Sequence, residues 1–94
     1  MKTIIVLGKK YFDRPNGNTY HAVCVICDGK KYFSGYQYGY WDSWKHTGKN
    51  IIINNKLVKR CKRFEIIYIF TGYDKKSNLK NNVFDVDFYN HLEL

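Results

Sequence analysis

A two-residue turn, Asp28-Gly29, constrains the fold of this chain more than any other feature. It follows Thr19–Cys27 (TYHAVCVIC), a run rich in β-branched and aromatic residues, and precedes Lys30–Ser34. Asp-Gly pairs readily adopt the positive φ angles that a type I′ hairpin turn requires. The sequence therefore predicts an antiparallel hairpin over residues 19–34.

A third strand is predicted at the start of the chain. Lys2–Leu7 is a short, β-branched apolar run, with Lys9–Phe12 as its continuation. Between it and the hairpin lies DRPNGN, in which Pro15 presets φ and Asn16-Gly17 tolerates the left-handed region, so a turn is expected there. The first three strands should form an antiparallel meander.

The pattern changes to a helical one after Asp42. Asp42 or Ser43 could cap a helix, and apolar or small residues then recur at helical spacing. The predicted inner face consists of Trp44, Gly48, Ile51, Ile52 and Asn55. The alternative is a strand over Asn50–Ile53 with a turn at Asn54-Asn55. We favour the helix.

The last third of the chain predicts two more strands. Phe64–Thr71 (FEIIYIFT) is apolar on both faces, as expected of a central strand. A polar loop is expected over Asp74–Asn82, and Val83–Tyr89 alternates like a half-buried strand. The 94 residues are expected to form a single domain of the α+β class. Its small antiparallel sheet would have about five strands, with one helix on one face.

The positive charge of the chain is concentrated in its first two thirds. Residues 1–63 hold thirteen Lys and Arg against three Asp, a balance of +10, and residues 64–94 hold three Lys against five acids, a balance of −2. The densest part, called the basic run below, comprises Lys56, Lys59, Arg60, Lys62 and Arg63. Such a field attracts polyanions over a Debye length of roughly 8 Å, whether nucleic acid or an acidic protein surface.

Aromatic residues provide a second candidate binding feature. Tyr36, Tyr38 and Tyr40 recur at period two, so they would share one face of a strand. Beside basic residues, such rings can stack on unpaired bases or form a protein-binding hot spot. The alternative is that they complete a small core. Trp41 and Trp44 are expected in the core.

No group of residues gives a firm catalytic or metal-binding signature. Cys24 and Cys27 form a C-x-x-C pair that could bind zinc with Cys61 and one of His21, His46 or His91. On a regular strand, however, thiols three residues apart point to opposite faces, so ordinary strand residues are favoured. Asp85 and Asp87 could hold Mg²⁺, but a solvated strand face explains them better. No catalytic residue, metal or cofactor is predicted.

Composition predicts a cytoplasmic location. No segment reaches the ~18 apolar residues that a membrane span needs, and Thr3–Leu7 is too short for a signal peptide. An odd number of cysteines, three, fits free thiols in a reducing compartment.

One stretch resembles a known group of proteins. Residues 11–21 (YFDRPNGNTYH), Asp28-Gly29 and Tyr38-Gly39-Tyr40 are similar to small phage and prophage proteins of unassigned function. These carry an FDR-x-NGNTYH hairpin and a YGY segment ahead of a helix. The resemblance covers about residues 10–45 and implies a helix after Tyr40. It also implies a phage accessory protein, a class that includes inhibitors of host defence such as anti-CRISPR proteins.

Two functional hypotheses follow. The first is a non-enzymatic binding protein in the host cytoplasm, which docks its basic run and Tyr36, Tyr38 and Tyr40 on a host protein or nucleoprotein. The alternative is a protein that binds single-stranded RNA or DNA directly with the same residues. The sequence leaves the oligomeric state open.

Overall fold

The computed structural model describes residues 2–85, which form one five-stranded sheet with helices on both faces. The elements are β1 (Lys2–Asp13), β2 (Asn18–Cys27), β3 (Lys30–Phe33), β4 (Gln37–Tyr38), α1 (Ser43–Asn54), β5 (Phe64–Tyr73) and α2 (Lys76–Lys80). The strand order is β3-β2-β1-β5, and β4 also pairs with β2. Strands β1 and β2 are therefore central, and β5 forms one edge.

The hairpins form where the sequence predicts them. β1 and β2 pair antiparallel from Ile5↔Ile26 to Asp13↔Asn18, and β3 pairs antiparallel with the end of β2. Asp28 and Gly29 have φ angles of 52° and 75°, as a type I′ turn requires. The short β4 pairs with the start of β2, at Tyr20↔Tyr38.

Helix α1 packs against one face of the sheet, and two glycines allow its close approach. Its buried residues are Trp44, Gly48 and Ile52. A Cβ on Gly48 would lie 2.5 Å from Val6 Cγ1, and one on Gly8 of β1 would overlap the Trp44 ring. This core consists of Ile4, Val6, Val23, Val25, Cys27, Trp44, Ile52 and Leu57.

A smaller core covers the opposite face. It contains Ile5, Leu7, Cys24 and Ile26, with Ile69 and Phe84 packed against them. Leu79 of α2 is also fully buried. Lys9, only 7% exposed, donates to Asp74 Oδ2 at 2.8 Å and to the Val83 carbonyl, and lies over the Phe84 ring. This lysine therefore fastens the segment after β5 to the sheet.

The α+β class, with five strands and one main helix, is confirmed. A helix does follow Asp42, so the alternative strand over Asn50–Ile53 is wrong, but Asn55, predicted on the inner face, is the exposed residue that ends the helix. One pairing differs from the predicted antiparallel sheet, because β5 runs parallel to β1. The helical crossover returns the chain to the end of the sheet where β1 begins, and such a crossover produces parallel pairing.

Two further predictions about the last third are corrected. The central residues 66–69 of β5 are half-buried on both faces, but β5 is an edge strand and not a central one. The predicted loop over Asp74–Asn82 contains helix α2, whose Leu79 supplies a buried contact. Of the predicted strand over Val83–Tyr89, residues 83–85 are not in a strand and the rest lie outside the described residues.

None of the helices within residues 2–85 has the length and apolar character needed to cross a membrane.

Substitution Gly48→Ala tests the close packing of α1. In an exposed helix position, Gly→Ala adds about 1 kcal/mol of stability. Here the added methyl overlaps Val6, so we expect a loss of about 1–3 kcal/mol in the free energy of unfolding, measured by urea denaturation. Asn50→Ala, at an exposed site of the same helix, is the control and should not destabilise. A more stable Gly48→Ala protein would contradict this packing.

His21 is the buried titratable group beneath α1. It is 2% exposed, and its Nε2 lies 2.7 Å from Thr47 Oγ1 of the helix. Burial lowers the pKa of His21 below its ordinary value of 6.5, and the charge of Lys10 acts in the same direction. The folded protein therefore holds this imidazole neutral.

Stability should consequently fall on mild acidification. Above pH 6.5 the lowered pKa of His21 has no effect; below it the unfolded chain takes up the proton first, so the free energy of unfolding declines. The expected slope is at most ~1.4 kcal/mol per pH unit. His21→Gln should reduce the change in the urea midpoint between pH 5 and pH 7. The control His46→Gln, at an exposed position, should not. Identical profiles for His21→Gln and wild type would contradict the assignment.

Candidate binding surfaces

The basic run forms a compact series of turns between α1 and β5. All five of its cationic side chains are exposed. The segment is anchored from within by Leu57, 9% exposed, whose N–H donates to the Ile52 carbonyl at 3.0 Å. Lys56 and Arg60 have φ angles of 55° and 69°, typical of tight turns. The charges are therefore presented on a folded loop.

Two carboxylates lie near the basic run, Asp28 and the exposed Glu65, and Glu65 accepts a hydrogen bond from Thr3 Oγ1 at 3.2 Å. Lys2 Nζ is 2.9 Å from Asp28 Oδ2 and donates to the Leu57 carbonyl at 2.6 Å. The hydrogen bond from Lys2 lowers the pKa of Asp28, so this carboxylate is ionised and already paired. Among residues 2–85, no ion pair involves any of the five cations. Their field is thus available to a partner.

Tyr36, Tyr38 and Tyr40 do come together, through Tyr20 of β2. Tyr20 stacks on Tyr36 at a centroid distance of 4.6 Å and meets Tyr38 edge-on at 5.4 Å. The hydroxyls of Tyr38 and Tyr40 are 2.8 Å apart. We call these four residues the tyrosine cluster. Tyr36 is half-buried under Lys76 and Lys80 of α2, whereas Tyr38 and Tyr40 are exposed.

An aromatic groove adjoins the tyrosine cluster at the N-terminal end of α1. It has a volume of about 220 Å³ and is lined by Lys10, Thr19, Tyr40, Trp41 and Tyr73. Phe70 extends this surface, since its ring lies 5.8 Å from that of Tyr73 and 5.3 Å from Lys10 Nζ. The groove therefore combines aromatic faces with one ammonium group.

Trp41 is the most unusual residue of the groove. Its side chain is 85% exposed, which corrects its predicted place in the core, whereas Trp44 is buried as predicted. Its φ angle is 53°, in the left-handed region that bulky residues rarely adopt. A strained backbone that holds a large apolar ring in water is typical of a contact site.

The basic run and the aromatic residues lie at opposite ends of the sheet. Tyr38 pairs with Tyr20 at the start of β2, whereas the basic run ends where β1 begins, beside the turn after Cys27. Seven residues along a strand span about 23 Å at ~3.3 Å each. The single surface expected from the sequence is therefore two surfaces within one chain.

The residues that could have formed a metal site are not clustered in the described part of the chain. Cys24 and Cys27 belong to the cores on opposite faces of the sheet, as strand alternation predicts. Burial raises the pKa of the Cys24 thiol to about 12. Within residues 2–85, no three His, Cys, Asp or Glu side chains are grouped to hold a metal ion. Asp87 and His91 lie outside the described residues.

His46 lies in a second, more polar groove. This groove, of about 310 Å³, runs between α1 and β5 and is lined by Asp42, Lys45, His46, Lys49 and Tyr68. Lys45 Nζ lies 5.7 Å from the centre of the Trp44 ring and 5.8 Å from that of Tyr68. The mixed charges of this groove do not indicate a particular ligand or reaction.

Comparisons with protein-family models, curated proteins and solved structures found no match to this chain.

Sequence reasoning missed Lys10, Phe70 and Tyr73. Lys10 and Phe70 lie in predicted strands to which no binding role was assigned, and Tyr73 lies just beyond the predicted strand Phe64–Thr71. Their grouping depends on the parallel pairing of β1 with β5, which places Tyr73 beside Lys10 after a bulge. Tyr73, 68% exposed at the end of β5, gave no local signal.

Trp41→Asn tests whether the exposed tryptophan contributes to stability. Asn adopts the left-handed region readily, and the exposed indole contributes little packing. We expect the free energy of unfolding to stay unchanged or rise by up to about 1 kcal/mol, measured by urea denaturation. Trp44→Asn, at the buried tryptophan, should cost about 3 kcal/mol or more. A loss of several kcal/mol at Trp41 would show a packing role instead.

Proposed function

We propose that this chain is a non-enzymatic binding protein that inhibits its partner by occlusion, as an anti-defence accessory protein of a phage. The observation that carries the proposal is Trp41, an exposed tryptophan in a strained conformation at the edge of an aromatic groove. Tryptophan and tyrosine dominate the energetics of protein contacts. An aromatic groove of this kind fits a protrusion on a protein surface.

The basic run supports a nucleic-acid-bound or acidic target. Five exposed cations free of ion pairs with described carboxylates would steer the chain toward a polyanionic surface. A nucleoprotein offers phosphates for the basic run and protein surface for the groove. We therefore propose a host nucleoprotein as the target class, with an RNA-guided nuclease as an example.

A plasmid-interference assay tests this proposal. The chain is expressed in bacteria that carry an active RNA-guided nuclease, and the transformation efficiency of a targeted plasmid is measured against a non-targeted one. Wild type should raise the efficiency at least tenfold. Trp41→Asn should lose most of this effect without loss of fold, since truncating a hot-spot residue costs about 2 kcal/mol or more.

Charge variants complete the test. Replacing all five residues of the basic run by Ser should also reduce protection, whereas Lys49→Ser with Lys75→Ser, at exposed positions outside both surfaces, should not. If wild type protects against none of a panel of such nucleases, the anti-defence proposal fails. Protection that survives both Trp41→Asn and removal of the basic run would refute the assigned surfaces.

Direct binding to nucleic acid is the second candidate, favoured by the basic run itself. Fluorescence anisotropy with labelled single-stranded RNA, single-stranded DNA and duplex DNA across a salt series separates the two functions. A direct binder shows micromolar affinity with a steep salt slope, lost when the basic run is removed. An inhibitor directed at protein shows little affinity for free nucleic acid and depends on Trp41.

A further inference from the structure

We propose that two copies of this chain pair through β5 in antiparallel fashion, about a two-fold axis at Ile67. β5 is a ten-residue edge strand. No described residue pairs with its outer side. Its sequence, FEIIYIFTGY, contains one charged residue, Glu65. A long apolar edge is a template for strand pairing unless it is protected.

Backbone register shows which groups of β5 are available. Lys2 N–H donates to the Arg63 carbonyl at 3.2 Å, and Lys2 is the register partner of Phe64. In a parallel ladder this places the N–H and C=O groups of Glu65, Ile67 and Ile69 toward β1. The outward groups therefore belong to Phe64, Ile66, Tyr68 and Phe70.

These outward groups are arranged symmetrically about Ile67. Pairing with β1 is regular from Phe64 to Phe70, and the bulge follows. A two-fold axis at Ile67 then joins Phe64 to Phe70 and Ile66 to Tyr68 of the second copy. The four hydrogen-bonded pairs supply about eight main-chain bonds. Ile67 meets its own counterpart in a non-hydrogen-bonded pair.

Side chains match across this axis as well as main-chain groups. Tyr68 and Phe70 contact Trp44, so by strand alternation Phe64 and Ile66 also lie on the α1 side. Each directly opposed pair therefore shares a face. Phe64 opposite Phe70 and Ile66 opposite Tyr68 are aromatic and aromatic–β-branched pairs, which stabilise antiparallel strands. Phe64 and Phe70 are 43% and 44% exposed in the single chain.

Charge also favours the antiparallel arrangement. Each chain carries a formal charge of +8, so two basic runs side by side would repel. Antiparallel pairing places them at opposite ends of the paired segment, about 23 Å apart, well beyond a Debye length of roughly 8 Å. Glu65 lies opposite Ile69 rather than opposite a second Glu65.

The same pairing rejoins the two surfaces that a single chain separates. Antiparallel register places Arg63 and Lys62 of one copy beside Thr71 and Gly72 of the other, next to Tyr73 of the aromatic groove. The dimer thus presents two composite sites, each with a groove from one copy and basic residues from the other. This composite site rests on the proposed function, whereas the dimer itself does not.

Sedimentation equilibrium between about 1 and 500 µM tests the pairing. The proposed interface is a single pair of strands. Interfaces below ~1,200 Å² of buried surface are typical of weak, micromolar association, which this concentration range covers. The mass should rise with concentration from 11.2 kDa toward twice that value. Ile67→Lys and Ile67→Glu, each opposed to itself, should weaken the dimer at least tenfold, and their equimolar mixture should restore it. Ile53→Lys, at an exposed helix position, should leave the dimer intact.

A disulfide provides a second readout that does not require a charge in the sheet. Non-hydrogen-bonded antiparallel pairs have Cα atoms about 4.5 Å apart, within disulfide range. In a Cys61→Ser background, Ile67→Cys should give a covalent dimer on oxidation. Ile69→Cys should not, because its counterpart lies four residues away. Monomeric wild type at 500 µM, or no preference for Ile67→Cys over Ile69→Cys, overturns the proposal.

The plasmid-interference assay separates the two proposals. A dimer with no protective activity in wild type leaves the pairing intact and refutes the proposed function. If wild type protects and Ile67→Lys, folded by circular dichroism, protects equally, the composite site is refuted. Loss of protection with Ile67→Lys, and its recovery on co-expression with Ile67→Glu, supports the composite site.

Discussion

The contact between α1 and β1 is the constraint on which the rest of the structure depends. Gly8 leaves room on the sheet for the Trp44 ring, and Gly48 brings the helix backbone against Val6. With a side chain at either position, the helix would have to move away and the core on this face would open. Because the helix lies directly on β1 and β2, the chain emerging from it reaches the free side of β1, where β5 pairs.

This arrangement explains why the binding surfaces lie at the ends of the sheet. Residues 4–9 of β1 and 21–27 of β2 are buried, so their side chains serve packing or, at Lys9 and His21, buried polar contacts. The segment that leads into α1 exposes Trp41, and the segment that leaves α1 presents the basic run. Both surfaces are therefore connections of the same helix, one at each of its ends. Their positions relative to each other are fixed by its docking.

Local patterns in the sequence predicted most of the fold, and non-local pairing accounts for what they missed. The Asp28-Gly29 turn and the helix after Asp42 are local signals, and the structure bears both out, although Asn55 of the predicted inner face is exposed. The direction of β5 depends on the crossover, and a helix between two strands already favoured parallel pairing. The apolar character of β5 on both faces did not reveal its edge position, since both cores reach it.

The candidate sites divide in the same way. The basic run and the period-two tyrosines are visible in the sequence, but their separation follows from strand order alone. Lys10 and Tyr73 become neighbours only through the register of β1 with β5.

The two surfaces also act over different ranges. Cations attract a partner across a Debye length, whereas aromatic rings contribute only on contact. The basic run would therefore govern the rate of encounter, and the groove around Trp41 the lifetime of the complex.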